Sequence, residues 1–260
     1  MIYASLFTSA SGIQAASNFL DATSQNVANA ETTGYKTAQV TFQDLLYQGR
    51  TAGRASPTLL QPTGSQVGSG AVQSALTGVF TQGALQPTGA PLDLAISGNG
   101  FFPVALADGT TAFTRAGGFT TDATGRIVNS DGFILATGLT VPADASSVSV
   151  GADGTVTAAT AAGVQTVGQI TLANFQNPQG LQRISDTLFT AGPNSGPAVA
   201  GVAGTNGLGT VTQGSLEGAN VDLSTELVNL IVAQRAFQSN SRALVAEDAV
   251  VSDTLTQLFR

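Results

Sequence analysis

The 260-residue chain contains no cysteine and no histidine. Without cysteine there is no disulfide, no iron–sulfur cluster, no thiolate nucleophile and no cysteine-held zinc. Without histidine the commonest general base and the commonest metal ligand are missing as well. Lys36 is the single lysine, so Schiff-base chemistry would hang on one residue. Only 10% of residues are charged, against about a quarter in an average chain. The acids outnumber the bases 16 to 9, for a net charge of −7. That balance argues against nucleic acid as a partner, because displacing phosphate counterions needs a basic face. No apolar run approaches the ~18 residues of a membrane span, so no membrane insertion is expected. Residues 1–20 have neither a basic n-region nor a compact apolar core, so any export is expected to proceed without a cleavable signal peptide. Carboxylates, serines, tyrosines and arginines are all that remain for catalysis. An enzyme is disfavoured, and no cofactor or metal is expected.

What is present is patterned. Leu6, Ile13, Leu20 and Val27 recur at every seventh position, with Ser9, Ala16, Thr23 and Ala30 three residues behind them. That is a heptad of large and small residues. Gly34 then offers a helix C-cap. Near the other end Leu223, Leu230, Phe237, Leu244, Val251 and Leu258 form an unbroken seven-residue series, with Leu227, Gln234, Ser241, Asp248 and Leu255 as the second row. Asn220 and Asp222 are candidate N-caps. Residues 223–260 contain no glycine or proline, which predicts one helix of roughly 57 Å at ~1.5 Å per residue. Both seams are narrow and half polar, and Asp248 would be costly to bury alone. Such seams suit helices that pack among many copies, so Leu6, Ile13, Leu20, Val27, Leu223, Leu227, Leu230, Phe237, Leu244, Val251, Leu255 and Leu258 are candidates for inter-subunit packing.

The middle of the chain predicts β structure. Short β-branched or alternating runs cover 92–96, 101–106, 133–135, 148–150, 155–157 and 167–175. Asp108-Gly109, Asp131-Gly132, Asp153-Gly154 and Asn99-Gly100 are turn dipeptides between them. Residues 48–70 and 191–209 are rich in glycine, proline and small polar residues and read as connectors. Candidate chemistry is thin. Gly98-Asn99-Gly100 is followed by Phe101-Phe102-Pro103 and not by a helix opening, so it reads as a turn. Asp122 and Asp131 could pair, but Asp122-Ala123-Thr124-Gly125 is a simpler Asx turn. Arg115 and Arg126 are expected to form solvated ion pairs with nearby acids.

Three blocks resemble a known family. Gln25-Asn26-Val27-Ala28-Asn29, Thr33-Gly34-Tyr35-Lys36 and Phe42-Gln43-Asp44-Leu45-Leu46-Tyr47 resemble the N-terminal signature of the bacterial flagellar rod and hook proteins. Leu216-Glu217, Asn220-Val221-Asp222-Leu223, Glu226-Leu227-Val228, Ile231, Gln234-Arg235-Ala236-Phe237 and Asn240 resemble the C-terminal one. Leu94-Ala95-Ile96 and Gly100-Phe101-Phe102, then Phe113-Thr114-Arg115, Gly117 and Phe119, resemble the central block. Chain length and the 48–70 connector are similar to the distal-rod members, where a hook protein is usually longer. Gln25-Asn26 replaces the usual paired asparagines, and Arg183-Ile184-Ser185-Asp186 departs from the family where a glycine is usual, leaving that turn open.

The resemblance implies an α+β fold. Long N- and C-terminal coiled-coil-type helices (1–33 and 220–260) would pack together as an inner domain, 34–70 would be a connector with an extended or hairpin segment, and 71–219 would be a central, mostly antiparallel β domain. It implies a non-enzymatic subunit of the basal body, spanning periplasm to outer membrane, that polymerises with itself into a helical, rigid, hollow drive shaft. Implied partners are the proximal rod proteins, the hook protein, the outer-membrane and peptidoglycan bushing-ring proteins and the flagellar type III export apparatus. Motif residues carried over are Asn26, Asn29, Gly34, Tyr35, Lys36, Phe42, Asp44, Gly100, Phe101, Phe102, Asn220, Asp222, Gln234 and Arg235. The rival readings are a hook protein of the same family and a β-rich secreted adhesin or binding module.

Overall fold

The computed structural model describes residues 2–258 apart from 47, 52–54, 57–58 and 61–64. Two long helices bracket an antiparallel β-rich region: α1 spans Ile2–Ala28 and α2 spans Leu223–Leu258. The architecture is therefore α+β. The chain divides into two compact units. Met1–Val27, Ala38–Thr77 and Leu223–Arg260 form one, and Ala28–Thr37 with Gly78–Asp222 forms the other.

In the first unit α1 and α2 run antiparallel. Ser9 Oγ donates to Glu247 Oε2 at 3.4 Å, and Asn26 Nδ2 donates to Glu226 Oε1 at 3.1 Å. Between these two bonds Gly12 meets Asn240 so closely that a Cβ would lie 2.8 Å from its Nδ2. The only glycine in α1 thus stands where the helices approach. The α1 rows follow the heptad: Leu6, Ile13, Leu20 and Val27 are half-buried, and Ala16 and Thr23 are buried. On α2 the phase differs from the sequence expectation. Leu230, Leu244 and Val251 are half-buried, but the second inward row is Glu226, Ala233, Asn240 and Glu247, and Leu227, Gln234 and Asp248 lie exposed. Asp248 therefore needs no buried partner. The side chains of Leu255 and Leu258, and Tyr47, lie outside the described residues.

A two-stranded ribbon, Ala38–Asp44 with Ala71–Gly78, accompanies the helices. Along Ala71–Thr77 half-buried and exposed residues alternate, as a strand with one covered face requires. Phe42 meets Phe19 of α1 edge-on at 6.4 Å. Within 48–67, Gln48–Thr51 pairs with Ser65–Val67 and Ala55–Ser56 with Leu59–Leu60, two nested antiparallel pairs.

The second unit is built on a seven-stranded antiparallel sheet. Its order is Phe119–Thr121, Ile127–Asn129, Ile134–Leu135, Phe102–Ala105, Thr111–Thr114, Leu188–Thr190 and Gln182–Arg183. Phe101 and Phe102 show the period of two that makes successive side chains face opposite ways. Phe102 enters the main core with Leu94, Ile96, Val104, Ile127, Leu135, Ile170 and Leu172. Phe101 joins Phe113 and Phe175 in a second cluster. Each such buried aromatic contributes roughly 1.5–3 kcal/mol through removal from water. The stretch 191–209 is more than a connector, since Val199–Val202 pairs with Thr171–Asn174. The open turn at 183–186 is a tight return in which Ile184 and Ser185 both donate to the Leu188 carbonyl.

The turns share one device. In Asp108-Gly-Thr110, Asp122-Ala-Thr124 and Asp153-Gly-Thr155 the aspartate accepts from both the amide and the hydroxyl of the threonine two residues on. Asp122 also accepts from Arg126, which closes an exposed ion pair as expected. Asp131 is held separately by Asn129. The threonine hydroxyls are the main reason that the carboxyls of Asp108, Asp122 and Asp153 sit below the ordinary value of 3.8. A carboxylate lowered on folding stabilises the fold above its unfolded pKa, and that gain disappears as pH falls through the folded value. The triple variant Asp108→Asn, Asp122→Asn, Asp153→Asn should therefore melt below the parent at pH 7, with the two melting points converging as pH drops well below 3.8. Thermal scans across that range measure it.

Candidate functional site

The single lysine is fully buried. Lys36 Nζ donates to Glu217 Oε1 at 2.6 Å and to the Thr81 carbonyl at 2.7 Å. The other oxygen of Glu217 accepts from Arg115 Nη1 at 3.1 Å, and its Oε1 also takes the Gly83 amide. Arg115 Nη2 donates to the Gly98 carbonyl, and its guanidinium lies 5.3 Å over the Phe101 ring. Two cations thus share one anion out of water, leaving a formal excess of one positive charge. The Phe101 face and the carbonyls of Gly98 and Thr81 disperse that excess. Burial is what chiefly pushes the Lys36 ammonium below its usual pKa; Glu217 opposes the shift and Arg115 adds to it. Burial lowers Arg115 too, again against Glu217. The expectation that Arg115 forms a solvated pair is corrected: its partner is Glu217, and both are buried.

Neighbouring motif residues hold this network in place. Gly34 is not a helix cap, since α1 ends at Ala28. Its φ is +72°, its amide donates to the Glu217 carbonyl at 2.7 Å, and a Cβ would lie 2.3 Å from the Ala116 nitrogen. Only glycine satisfies all three conditions. Tyr35 is fully buried, with the Arg183 guanidinium 5.1 Å over its ring. Arg183 also donates to the Lys36 carbonyl. Asn29 holds its own turn through the Thr32 hydroxyl.

Asn220 is not a cap either. Its Oδ1 accepts from the Thr37 amide and hydroxyl, both at 2.8 Å, and its Nδ2 donates to the Val79 carbonyl at 2.7 Å. It staples two passing strands of chain by imitating a backbone unit. Asp222 directly precedes α2. In the first unit Asn26 does similar work, exchanging two 2.9 Å bonds with the Ala38 backbone while reaching Glu226.

The remaining candidates lie elsewhere. Gly100 (φ +132°) precedes the Phe101-Phe102 pair. Asp44, Gln234 and Arg235 are exposed, and Phe42 is partly so. Sequence reasoning missed the role of Glu217, Arg115 and Arg183. A signal existed for the first: Lys36 is the one charge between Glu31 and Asp44, an isolation that suits a buried ion more than a solvated one. Outside this network, α2 presents a bare apolar face. Leu227, Val228, Ile231 and Val232 are exposed by 50, 59, 48 and 54%. Among the described residues no group of acids could hold a metal ion.

The ions in the second unit therefore serve the fold, while the first unit carries a helix with an unpaired face; this is the build of a structural protein. Three family profiles match the chain: "Flagella basal body rod protein" over 6–36, "Flagellar hook protein FlgE/F/G D1 domain" over 95–158 and "Flagellar basal body rod FlgEFG protein C-terminal" over 212–258. The flagellar basal-body rod protein FlgG of Agrobacterium fabrum is 40% identical over 95% of this chain and 96% of its own length. That of Bacillus subtilis is 39% identical over 96% and 97%. The Escherichia coli hook protein FlgE is 46% identical, but over 45% of this chain and 29% of its own. The chain belongs to the flagellar basal-body rod and hook protein family, on the side of the FlgG rod proteins.

Removing the central anion tests the network. Glu217→Gln leaves Lys36 and Arg115 buried without a counter-charge, which should lower the unfolding free energy by about 3–5 kcal/mol. Lys36→Met should cost less, because Arg115 still offsets Glu217. Urea unfolding followed by circular dichroism at pH 7 gives both values.

Proposed function

We propose that the protein is the structural subunit of the flagellar distal rod, polymerising helically into the rigid hollow shaft that transmits torque from motor to hook. The observation that carries this reading is the apolar face of α2. Four half-exposed aliphatic residues within six positions are more than a solitary domain usually shows to water. A face of this kind finds a stable partner in further copies of the chain. When the two contacting patches differ, the contacts propagate without closing and build a tube. The likeness to FlgG proteins along nearly the full chain supports the rod over the hook. In the polymer, 1–33 and 220–260 would form the inner layer with α1 and α2 packed in coiled-coil fashion, 34–70 the connector and 71–219 the outer β domain. On this reading the chain reaches the periplasm through the flagellar type III export apparatus, without a cleaved signal. It then sits between proximal rod and hook proteins, inside the bushing rings.

The structure sharpens which residues to test. Leu230 and Leu244 are half-buried in the single chain, so changing them would disturb it as well as the assembly. Ile231 and Val232 are open. Replacing both with aspartate should abolish polymerisation, since each unpaired charge taken into an apolar contact costs several kcal/mol. The melting of the β region should stay within about 2 °C, because the exposed positions support no packing there. Sedimentation and circular dichroism on one sample read both. Undiminished polymer would contradict the proposed use of this face.

A further inference from the structure

Each long helix carries a second seven-residue row on its outer side, two positions and so about 200° from the Ser9–Ala16–Thr23 row of α1 and from the Glu226–Ala233–Asn240–Glu247 row of α2. On α1 the row is Phe7, Gln14, Asp21 and Ala28, all exposed. On α2 it is Val228, Arg235, Arg242 and Ala249, again all exposed. Neither Asp21 nor either arginine forms an ion pair among the described residues. The charges are segregated. Residues 1–35 contain no lysine or arginine, with Asp21 and Glu31 as their charges, whereas the α2 row holds cations and no acid.

Set antiparallel, the two rows match position by position. Asp21 meets Arg235, Gln14 meets Arg242, Ala28 meets Val228, and Phe7 meets Ala249 with Val250 beside it. A slip by one heptad either removes the Asp–Arg pair or sets Ala28 against an arginine and Phe7 against Thr256. Within one chain the rows point away from each other, so one chain cannot join them. A second copy can. With the helices running along the assembly axis, copies related by a rotation and a rise about that axis keep their helix directions, so α1 of one copy meets α2 of the next antiparallel. The contacts inside a chain pair residue 12 with 240 and 26 with 226. The outer register is displaced from these two by four residues, or about 6 Å of helix, and equals that of the third inner contact, Ser9 with Glu247.

The geometry points to an interhelical contact between successive copies, in which the Phe7–Gln14–Asp21–Ala28 row seats on the Val228–Arg235–Arg242–Ala249 row with Asp21 and Arg235 ion-paired. It rests on the self-assembly reading above and adds the partner face and its register. Opposite charges select this neighbour, because like charges brought together there oppose the contact.

Two measurements on the full chain test it. Asp21→Arg or Arg235→Asp alone should raise the critical concentration for polymerisation about tenfold, and the two together should restore it to within about threefold of the parent. The absence of native cysteine makes the second clean. A chain carrying Ala28→Cys and Val228→Cys, assembled and mildly oxidised, should run as a ladder of covalent oligomers on a non-reducing gel. Failure of the charge swap to rescue, or a cross-link confined to single chains, overturns the contact while leaving self-assembly intact if the parent chain still forms polymer. A parent chain that forms no polymer overturns both.

Discussion

In the second unit, the segments that follow α1 and precede α2 are held together by one buried carboxylate. Glu217 accepts from Lys36, Arg115 and the Gly83 amide, and its backbone carbonyl takes the Gly34 amide. These partners come from three separate stretches of chain: 34–36, Gly83 and Arg115. A buried anion with two cations is a demanding constraint, because every misplacement leaves a charge out of water without a partner. The network therefore discriminates strongly among registers, whatever it adds to net stability. Glu217 pairs with Leu85 in a short antiparallel ladder, and a one-residue slip there would turn its carboxylate to the opposite face. Asn220, three residues on, binds Thr37, one residue after Lys36, so the same two segments are fixed twice.

These segments have a particular place in the chain. Lys36 follows the end of α1 by eight residues, and Glu217 precedes the start of α2 by six. The two helices themselves are joined by polar and small residues: Ser9 to Glu247, Gly12 against Asn240, Asn26 to Glu226. Their larger aliphatic residues stay half-buried or open. In the first unit charge and hydrogen bonds join the helices and α2 keeps apolar surface open, whereas the second unit is packed about a hydrophobic core like an ordinary globular domain.

Hydrophobic pattern alone made much of this legible. The long terminal helices, the β-rich middle, the Asx turn at Asp122 and the α1 heptad with Ala16 and Thr23 inward could all be read from spacing. Within the single chain the second inward row of α2 is Glu226, Ala233, Asn240 and Glu247, one position from the Leu227 row that spacing singles out, and no hydrophobic count selects it. Polar partners on α1, Asn26 for Glu226 and Ser9 for Glu247, make that row possible, and such complementarity has no local signature. The strand Val199–Val202 hid for a related reason. It is flanked by glycine and proline, and its pairing with Thr171–Asn174 is a tertiary fact. Gly34 was correctly singled out but given the wrong task, because the chain that crowds it, Ala116, is far away in sequence.

The central claim, that Lys36 is sealed in the network whenever the chain is folded, can be measured on its amine. Lys36 is the sole lysine, so an amine-reactive label followed by peptide mass mapping reports on one side chain. The account predicts that native protein takes label at Lys36 only through global unfolding, with a rate that climbs with urea in step with loss of the β signal. Labelling of the native chain at the rate of a free lysine would contradict it.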